Sequence, residues 1–393
     1  MTSFSRRWDA VMMRNYGTPA IALDHGVGVR VWDTDGVEYL DFVGGIAVSS
    51  LGHAHPALVA AVADQVARLA HTSNLAMHEP GLRLAERLVE LLALPARVFF
   101  ANSGAEANEC ALKLARLHGR ASGRSEIVSC HDSFHGRTLG ALSVTGNPAK
   151  REPFAPLPGP VSFVDYGDAA ALRAAVGPDT AAVIVEPVLG EGGVLPPPAG
   201  FLAAARQVCD DSGALLIVDE VQSGIGRTGH WFASAAEGVR PDVLTLAKGL
   251  GGGLPIGACL AVGGAGELFA PGDHGSTFGG NPVACAAALA VLDTIADDHL
   301  LDSVKRVGGH LADQLDAIDS PLLAGTRGAG LWRALALTGP VAPDVEAAAR
   351  KRGLLVNAVR PDAIRLAPPL VLTEAEVDEA MPLLTSALEE VAR

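Results

Sequence analysis

Residues 214–229 read ALLIVDEVQSGIGRTG, and residues 241–253 read PDVLTLAKGLGGG. Leu215 to Val218 is an unbroken apolar run between turn-forming residues, the pattern of a short strand buried on both faces. It ends in Asp219 and Glu220. A second apolar run, 243–247, ends in Lys248 and then glycine. Lys248 follows Asp219 by 29 positions, room for one crossover between parallel strands. A carboxylate and an amine are therefore expected together at the carboxyl edge of an open sheet, where such folds bind ligands. A lysine there, flanked by glycines that admit a flat ligand, suits Schiff-base chemistry. An aspartate beside it suits holding a pyridinium nitrogen protonated. Taken alone, a helix-capping aspartate and a lysine reaching to water fit the same two residues.

Working outward, apolar runs at 98–100, 127–129, 161–164, 182–185 and 259–262 add five strands to these two, with helical periodicity between most of them. That alternation predicts an α/β fold with a large, doubly wound, mostly parallel seven-stranded sheet. Upstream, 29–32 and 38–42 flank Asp33-Thr34-Asp35-Gly36, a hairpin turn. Asn281-Pro282 supplies the first two residues of a long helix. Beyond it, helices alternate with short strands at 331–337, 354–357 and 363–366, before a last helix from Glu374. This reads as a smaller α+β domain. The expected division is an N-terminal segment (1–50) packing with the small domain, a large domain (51–284) and the C-terminal small domain (285–393).

The chain has 393 residues, 49% of them hydrophobic and 19% charged, which suits a globular protein with a large core. A net charge of −14 argues against nucleic acid or an anionic membrane surface as partner. Five scattered cysteines with no C-x-x-C suit a reducing, cytoplasmic setting. Residues 249–266 carry no charge, but eight glycines and Pro255 make a poor membrane helix. The pairs His53/His55 and His131/His135 lack further ligands at usual spacing, so no metal is expected.

Other stretches point to the same sheet edge. NSGAEAN (102–108) follows a strand and opens a helix, so Ser103, Gly104 and Ala105 would offer free N–H groups to a phosphate. In SFHGRT (133–138), Phe134 suits stacking on a flat ring and Arg137 suits a carboxylate. GSTFGGNP (275–282) is rich in backbone donors and hydroxyls. Glu191 lies in a GEGGV loop able to move, and Arg365 in IRLAPPL near the C-terminus. Gly224-x-Gly226-x-x-Gly229 matches the dinucleotide fingerprint in letters only. Five residues, 219–223, separate it from the strand end, and Asp242 precedes a strand rather than ending one.

Together DEVQSGIGRTG, LAKGLGGGLPIGA, NSGAEAN, FHGRT and GSTFGGNP resemble the class III (ω-amino) aminotransferases, fold-type I enzymes that use pyridoxal 5′-phosphate. The resemblance runs from about Tyr16 to the last helix. It implies that Lys248 anchors the cofactor and moves the proton, and that Asp219 holds the ring nitrogen. It implies cofactor contacts from Ser103, Gly104, Ala105, Phe134, Glu220 and Val221, with Gln222 on the ring 3′-oxygen. Arg137 and Ser276 would meet substrate. Thr277 would reach the phosphate of a partner subunit, making a homodimer with shared sites. Glu191 would cover Arg365 while an ω-amine reacts and release it for a 2-oxo diacid. The chain is most similar to members that act on N-acetylornithine with 2-oxoglutarate and release glutamate. Ornithine δ-aminotransferases carry a tyrosine where this chain has Ile46, which favours an acylated amine here. Ornithine, succinylornithine and 4-aminobutyrate remain the alternatives within the family, and a nicotinamide-dependent dehydrogenase or a non-catalytic cofactor-binding module outside it.

Overall fold

The computed structural model describes residues 3–120 and 122–393. Seven strands form the central sheet: β4 (Ala96–Ala101), β5 (Glu126–Cys130), β6 (Val161–Val164), β7 (Thr180–Val185), β8 (Leu215–Asp219), β9 (Val243–Leu246) and β10 (Gly257–Val262). They are numbered after the N-terminal strands β1 (Leu23–Val27), β2 (Arg30–Asp33) and β3 (Glu38–Asp41). The spatial order is β4-β10-β9-β8-β7-β5-β6. β10 runs antiparallel to both its neighbours, and the β9-β8-β7-β5-β6 pairings are parallel. All residues of β7, β8 and β9 are buried, as unbroken apolar runs require.

Helices flank the sheet. Phe201–Ser212 links β7 to β8, and Ala169–Ala175 links β6 to β7. The link from β8 to β9 holds only a four-residue helix, Ala233–Ala236, so this crossover is mostly loop. The register pairs Asp219 with Thr245, which leaves Lys248 just beyond the end of the neighbouring strand.

The C-terminal strands are β11 (Leu323–Ala329), β12 (Trp332–Leu337), β13 (Leu354–Leu355), β14 (Asn357–Arg360) and β15 (Ala363–Leu366). β11, β12, β15 and β14 make one antiparallel sheet. The expected single strand at 354–357 is two. β13 leaves that sheet and pairs in parallel with β3, so a C-terminal strand completes an N-terminal sheet. β11 escapes a periodicity reading because Gly325 and Gly328 interrupt its pattern.

Side-chain caps set the long helices. Asn281 accepts from the Ala284 N–H at the start of Pro282–Asp297. Thr373 and Glu376 form a capping box on Glu374–Ala392. No helix opens at the 224–229 glycines; the next one is the single turn Ala233–Ala236. Gly226 has φ 85°, and a Cβ there would lie 3.1 Å from Leu370 and 3.2 Å from Leu301. These glycines allow close packing on C-terminal residues, not a dinucleotide turn. Arg227, in the same loop, is buried, meets no carboxylate among the described residues and donates to the carbonyls of Leu331 and Pro368. Burial pushes its guanidinium down to about 10. Residues 249–266 form a short 3₁₀ turn (Lys248–Gly251), β10 and a second turn. Among the described residues no helix is long and apolar enough to cross a membrane.

Candidate active site

A cavity of about 370 Å³ opens at the carboxyl ends of β8 and β9. Ser103, Gly104, Ala105, Phe134, Arg137, Asp219, Val221, Gln222 and Lys248 all line it. The sheet therefore gathers residues more than 140 positions apart at one edge.

Asp219 is 4% exposed and fully engaged. Its Oδ2 accepts from Asn108 Nδ2 at 2.7 Å and from His135 Nδ1 at 2.8 Å, and its Oδ1 from the Val221 N–H at 3.0 Å. Three donors fix the orientation of this buried carboxylate. Asn108 lies one helical turn past Gly104, which carries its side chain from the helix Gly104–Arg120 back to the sheet edge. The sequence suggests for His135 only a metal ligand and for Asn108 no role. Together they fix the orientation of Asp219. Among the described residues no group of three or more His, Cys, Asp or Glu is placed to hold a metal ion.

Lys248 has φ +43°, an unusual conformation for a residue with a side chain. Burial first, and then the Arg365 charge, depress its ammonium to about 8 against the opposing pull of Glu191, Asp219 and Glu186. A lysine so depressed is about one-tenth neutral at pH 7, where an ordinary lysine is almost wholly protonated, and the neutral amine is the nucleophile.

Gly104 and Ala105 open their helix with N–H groups that meet no acceptor among the described residues. Ser103 Oγ accepts from the Glu106 N–H. A Cβ on Gly104 would sit 2.6 Å from Val221, so glycine is needed for that side chain to approach. Phe134 is held by its backbone N–H, which donates to Glu186 Oε1 at 2.8 Å. Glu186 Oε2 accepts from the Gly190 N–H at 3.2 Å. Burial raises the Glu186 carboxyl to about 7. Like Asp219, Glu186 stands at the end of a buried strand, directly after Val185.

Arg365, in β15, is buried and reaches the same edge. Its Nη1 donates to Glu191 Oε1 and to Gln222 Oε1, each at 2.9 Å, and its Nη2 to Asn357 Oδ1 at 2.7 Å. Glu191 and Arg365, 174 positions apart, therefore do pair. Burial pushes the Glu191 carboxyl up, but Arg365, Lys150 and Lys248 outweigh this and hold it below the usual range.

Three expected residues lie elsewhere. Glu220 is a correction. Its carboxylate turns away from the cavity and is saturated by Ser223, Ser234 and the Ala233 and Ser234 N–H groups. It braces the loop behind Asp219 and does not line the cavity. Ser276 bonds Asn102 and the Gly279 N–H, and Thr277 is exposed; neither lines the cavity of its own chain.

These residues fit pyridoxal phosphate. The two free N–H groups at a helix N-terminus suit its phosphate, Asp219 suits its ring nitrogen, and Lys248 its aldehyde. Phe134 and Val221 supply apolar surface for the ring.

A family model described as aminotransferase class-III matches residues 11–388. Acetylornithine aminotransferase of Mycobacterium tuberculosis is 58% identical, over 98% of this chain and 96% of that one. Acetylornithine aminotransferase of Streptomyces clavuligerus is 56% identical over the same shares. The ornithine aminotransferase structure from Toxoplasma gondii, with partial occupancy of PLP at its active site, superposes with a TM-score of 0.94. It is 34% identical, over 98% of this chain and 93% of that one. The N-acetylornithine aminotransferase structure from Stenotrophomonas maltophilia has a TM-score of 0.84 and is 37% identical, over 96% and 97%.

Proposed function

This chain belongs to the class-III aminotransferases, and from that premise we propose that it transfers the δ-amino group of N2-acetyl-L-ornithine to 2-oxoglutarate. The products are N-acetyl-L-glutamate 5-semialdehyde and L-glutamate, a step of arginine biosynthesis. Curated relatives at 50–58% identity over nearly the whole chain support the substrate. The observation that carries the reading is the Glu191–Arg365 pair beside Gln222. One site must accept an ω-amine and then a diacid, and a covered arginine lets it do both.

When bound, pyridoxal phosphate supplies the carbonyl that takes up the amino group and the electron sink for the carbon that loses a proton. Ser103, Gly104 and Ala105 would hold the phosphate, Phe134 and Val221 would give the ring apolar surface, and Gln222 would bond the ring oxygen. Asp219, fixed by Asn108 and His135, keeps a positive charge at the ring nitrogen. Lys248 Nζ anchors the cofactor and afterwards moves the proton at the amine-bearing carbon of the substrate. Arg137, exposed at the mouth, binds the substrate carboxylate. Glu191 neutralises Arg365 during the amine half-reaction, so an α-carboxylate is not captured there. It yields Arg365 to the 2-oxo diacid in the second.

The reading extends to a cytoplasmic homodimer. Exposed Leu75, Met77 and Phe278 lie among the apolar residues that association would cover, beside Ser276 and the exposed Thr277. Within each subunit, residues 51–284 form the large domain, and residues 1–50 pack with the small domain, 285–393. The β3–β13 pairing supports that division.

The test is a visible spectrum of purified holoenzyme. Acetylornithine should abolish the cofactor band in one turnover, and 2-oxoglutarate should restore it. A band that ornithine removes faster than acetylornithine would reassign the substrate.

A further inference from the structure

Glu191 has two oxygens and two cations. Oε1 accepts from Arg365 at 2.9 Å, and Oε2 lies 3.6 Å from Lys150 Nζ. The first contact is a charge-assisted hydrogen bond. The second is an ion pair too long to be one. The Arg365 side chain is 3% exposed, whereas Lys150 is 25% exposed, so Glu191 sits between an inner and an outer cation. Lys150 lies in the short helix Pro148–Arg151, with its ammonium 4.9 Å from the centroid of the Phe134 ring. Nothing in its sequence neighbourhood marks it as part of a site.

We propose that Lys150 is a specificity-determining residue, the landing site that receives Glu191 when a diacid displaces it from Arg365. This rests on the gating role of Glu191. Opening the gate breaks the Arg365 bond and would otherwise leave a half-buried carboxylate unpaired, which is costly. Lys150 already faces the second oxygen. Its contact is incomplete while the gate is closed and can shorten to a hydrogen bond once Oε1 is released. A residue that favoured both positions equally would shift nothing. The room left in the 3.6 Å contact is what makes Lys150 favour the open one. The gate therefore trades one cation for another, and diacid binding at Arg365 becomes easier.

The experiment uses holoenzyme with Lys150→Met, which keeps a side chain of similar length without the charge, and Lys150→Arg. Stopped-flow half-reactions give apparent affinities for 2-oxoglutarate and acetylornithine. Methionine should shift their ratio about fivefold against 2-oxoglutarate, the scale of one partly exposed ion pair, and arginine should restore it. Glutarate, a diacid with no reacting group, should weaken by the same factor in calorimetry. In a Glu191→Ala background the Lys150→Met effect should vanish. A fivefold loss retained there would mean that Lys150 binds substrate directly, and would overturn the proposal. So would tighter 2-oxoglutarate in Lys150→Met, the sign of a clamp on the closed gate, or an unchanged ratio. Glutarate binding needs no turnover. If wild type proves inert to acetylornithine, the functional reading fails while glutarate still decides the role of Lys150.

Discussion

Replacing Lys248 by methionine should abolish transamination and yet stabilise the cofactor-free protein at neutral pH. The amine is lowered from its ordinary 10.5 to about 8, chiefly by burial and then by Arg365. A base with a lower pKa in the folded state binds fewer protons there than in the unfolded chain. Its penalty is full below about pH 8 and fades as the pH rises from 8 towards 10.5. A gap of about 2.5 units is worth roughly 3 kcal/mol at about 1.4 kcal/mol per unit. Part of the residue faces the cavity, where water relieves some of the cost, so about 1–3 kcal/mol is the expected gain. Methionine fills similar space without charge and inherits the same positive φ, so backbone strain cancels in the comparison. Urea unfolding of the two cofactor-free proteins at pH 7 and at pH 10.5 provides the assay. Methionine should be the more stable at pH 7, and the difference should shrink at pH 10.5. A less stable variant at pH 7, or a difference that ignores pH, would show Nζ to be well hydrated. The neutral amine would then need another source.

Two further outcomes follow from the same edge. Asp219→Asn keeps the shape but replaces an acceptor oxygen with a donor that faces Asn108 or His135. Each half-reaction should slow by about 10²-fold or more with the fold intact, and unchanged single-turnover rates would remove Asp219 from the chemistry. Glu186→Gln reports on pH. The carboxyl of Glu186 is raised to about 7, so the folded chain holds a proton that the unfolded one loses. Stability should fall as the pH rises from about 4.5 to 7, and glutamine should flatten that fall. Parallel thermal midpoints for both proteins across that range would refute the burial of an uncharged acid.

The strands of the central sheet were legible because an unbroken apolar run bounded by turns has few other uses. β8 and β9 also placed Asp219 and Lys248 at their ends by strand geometry alone. The C-terminal part was harder to read. The run at 354–357 divides between two sheets, and nothing local marks where the chain changes partner. Glu220 misled for a related reason. It sits beside Asp219 in sequence, but successive positions at a strand end point to opposite sides. One carboxylate enters the cavity, and the other enters a nest of Ser223 and Ser234 donors. His135 gave no sign of its role beside Asp219, and Lys150 no sign at all, because each acts only through a partner brought near by the fold.

Local rules fail where the chemistry gathers. Ile46 and Ala47 both have positive φ, in a turn whose next residue, Val48, lines the cavity. Val194 in the Glu191 loop and Lys248 itself share that conformation. Each costs roughly 1–2 kcal/mol in a residue with a side chain, more readily tolerated by glycine, yet two of the four are β-branched. Propensity would assign Ile46 and Val194 to extended backbone, so these turns cannot be read from local sequence. The surrounding packing must offset the strain. Ala47 and Val194 are indeed buried together with Trp332 from β12, so C-terminal residues hold both the turn beside the cavity and the loop that carries Glu191. Contacts from the C-terminal sheet also fix the partner of Glu191, since Arg365 comes from β15. The central sheet supplies the edge on which the amine and the aspartate stand. The C-terminal sheet supplies the strained loops and the arginine that distinguish one substrate from the next.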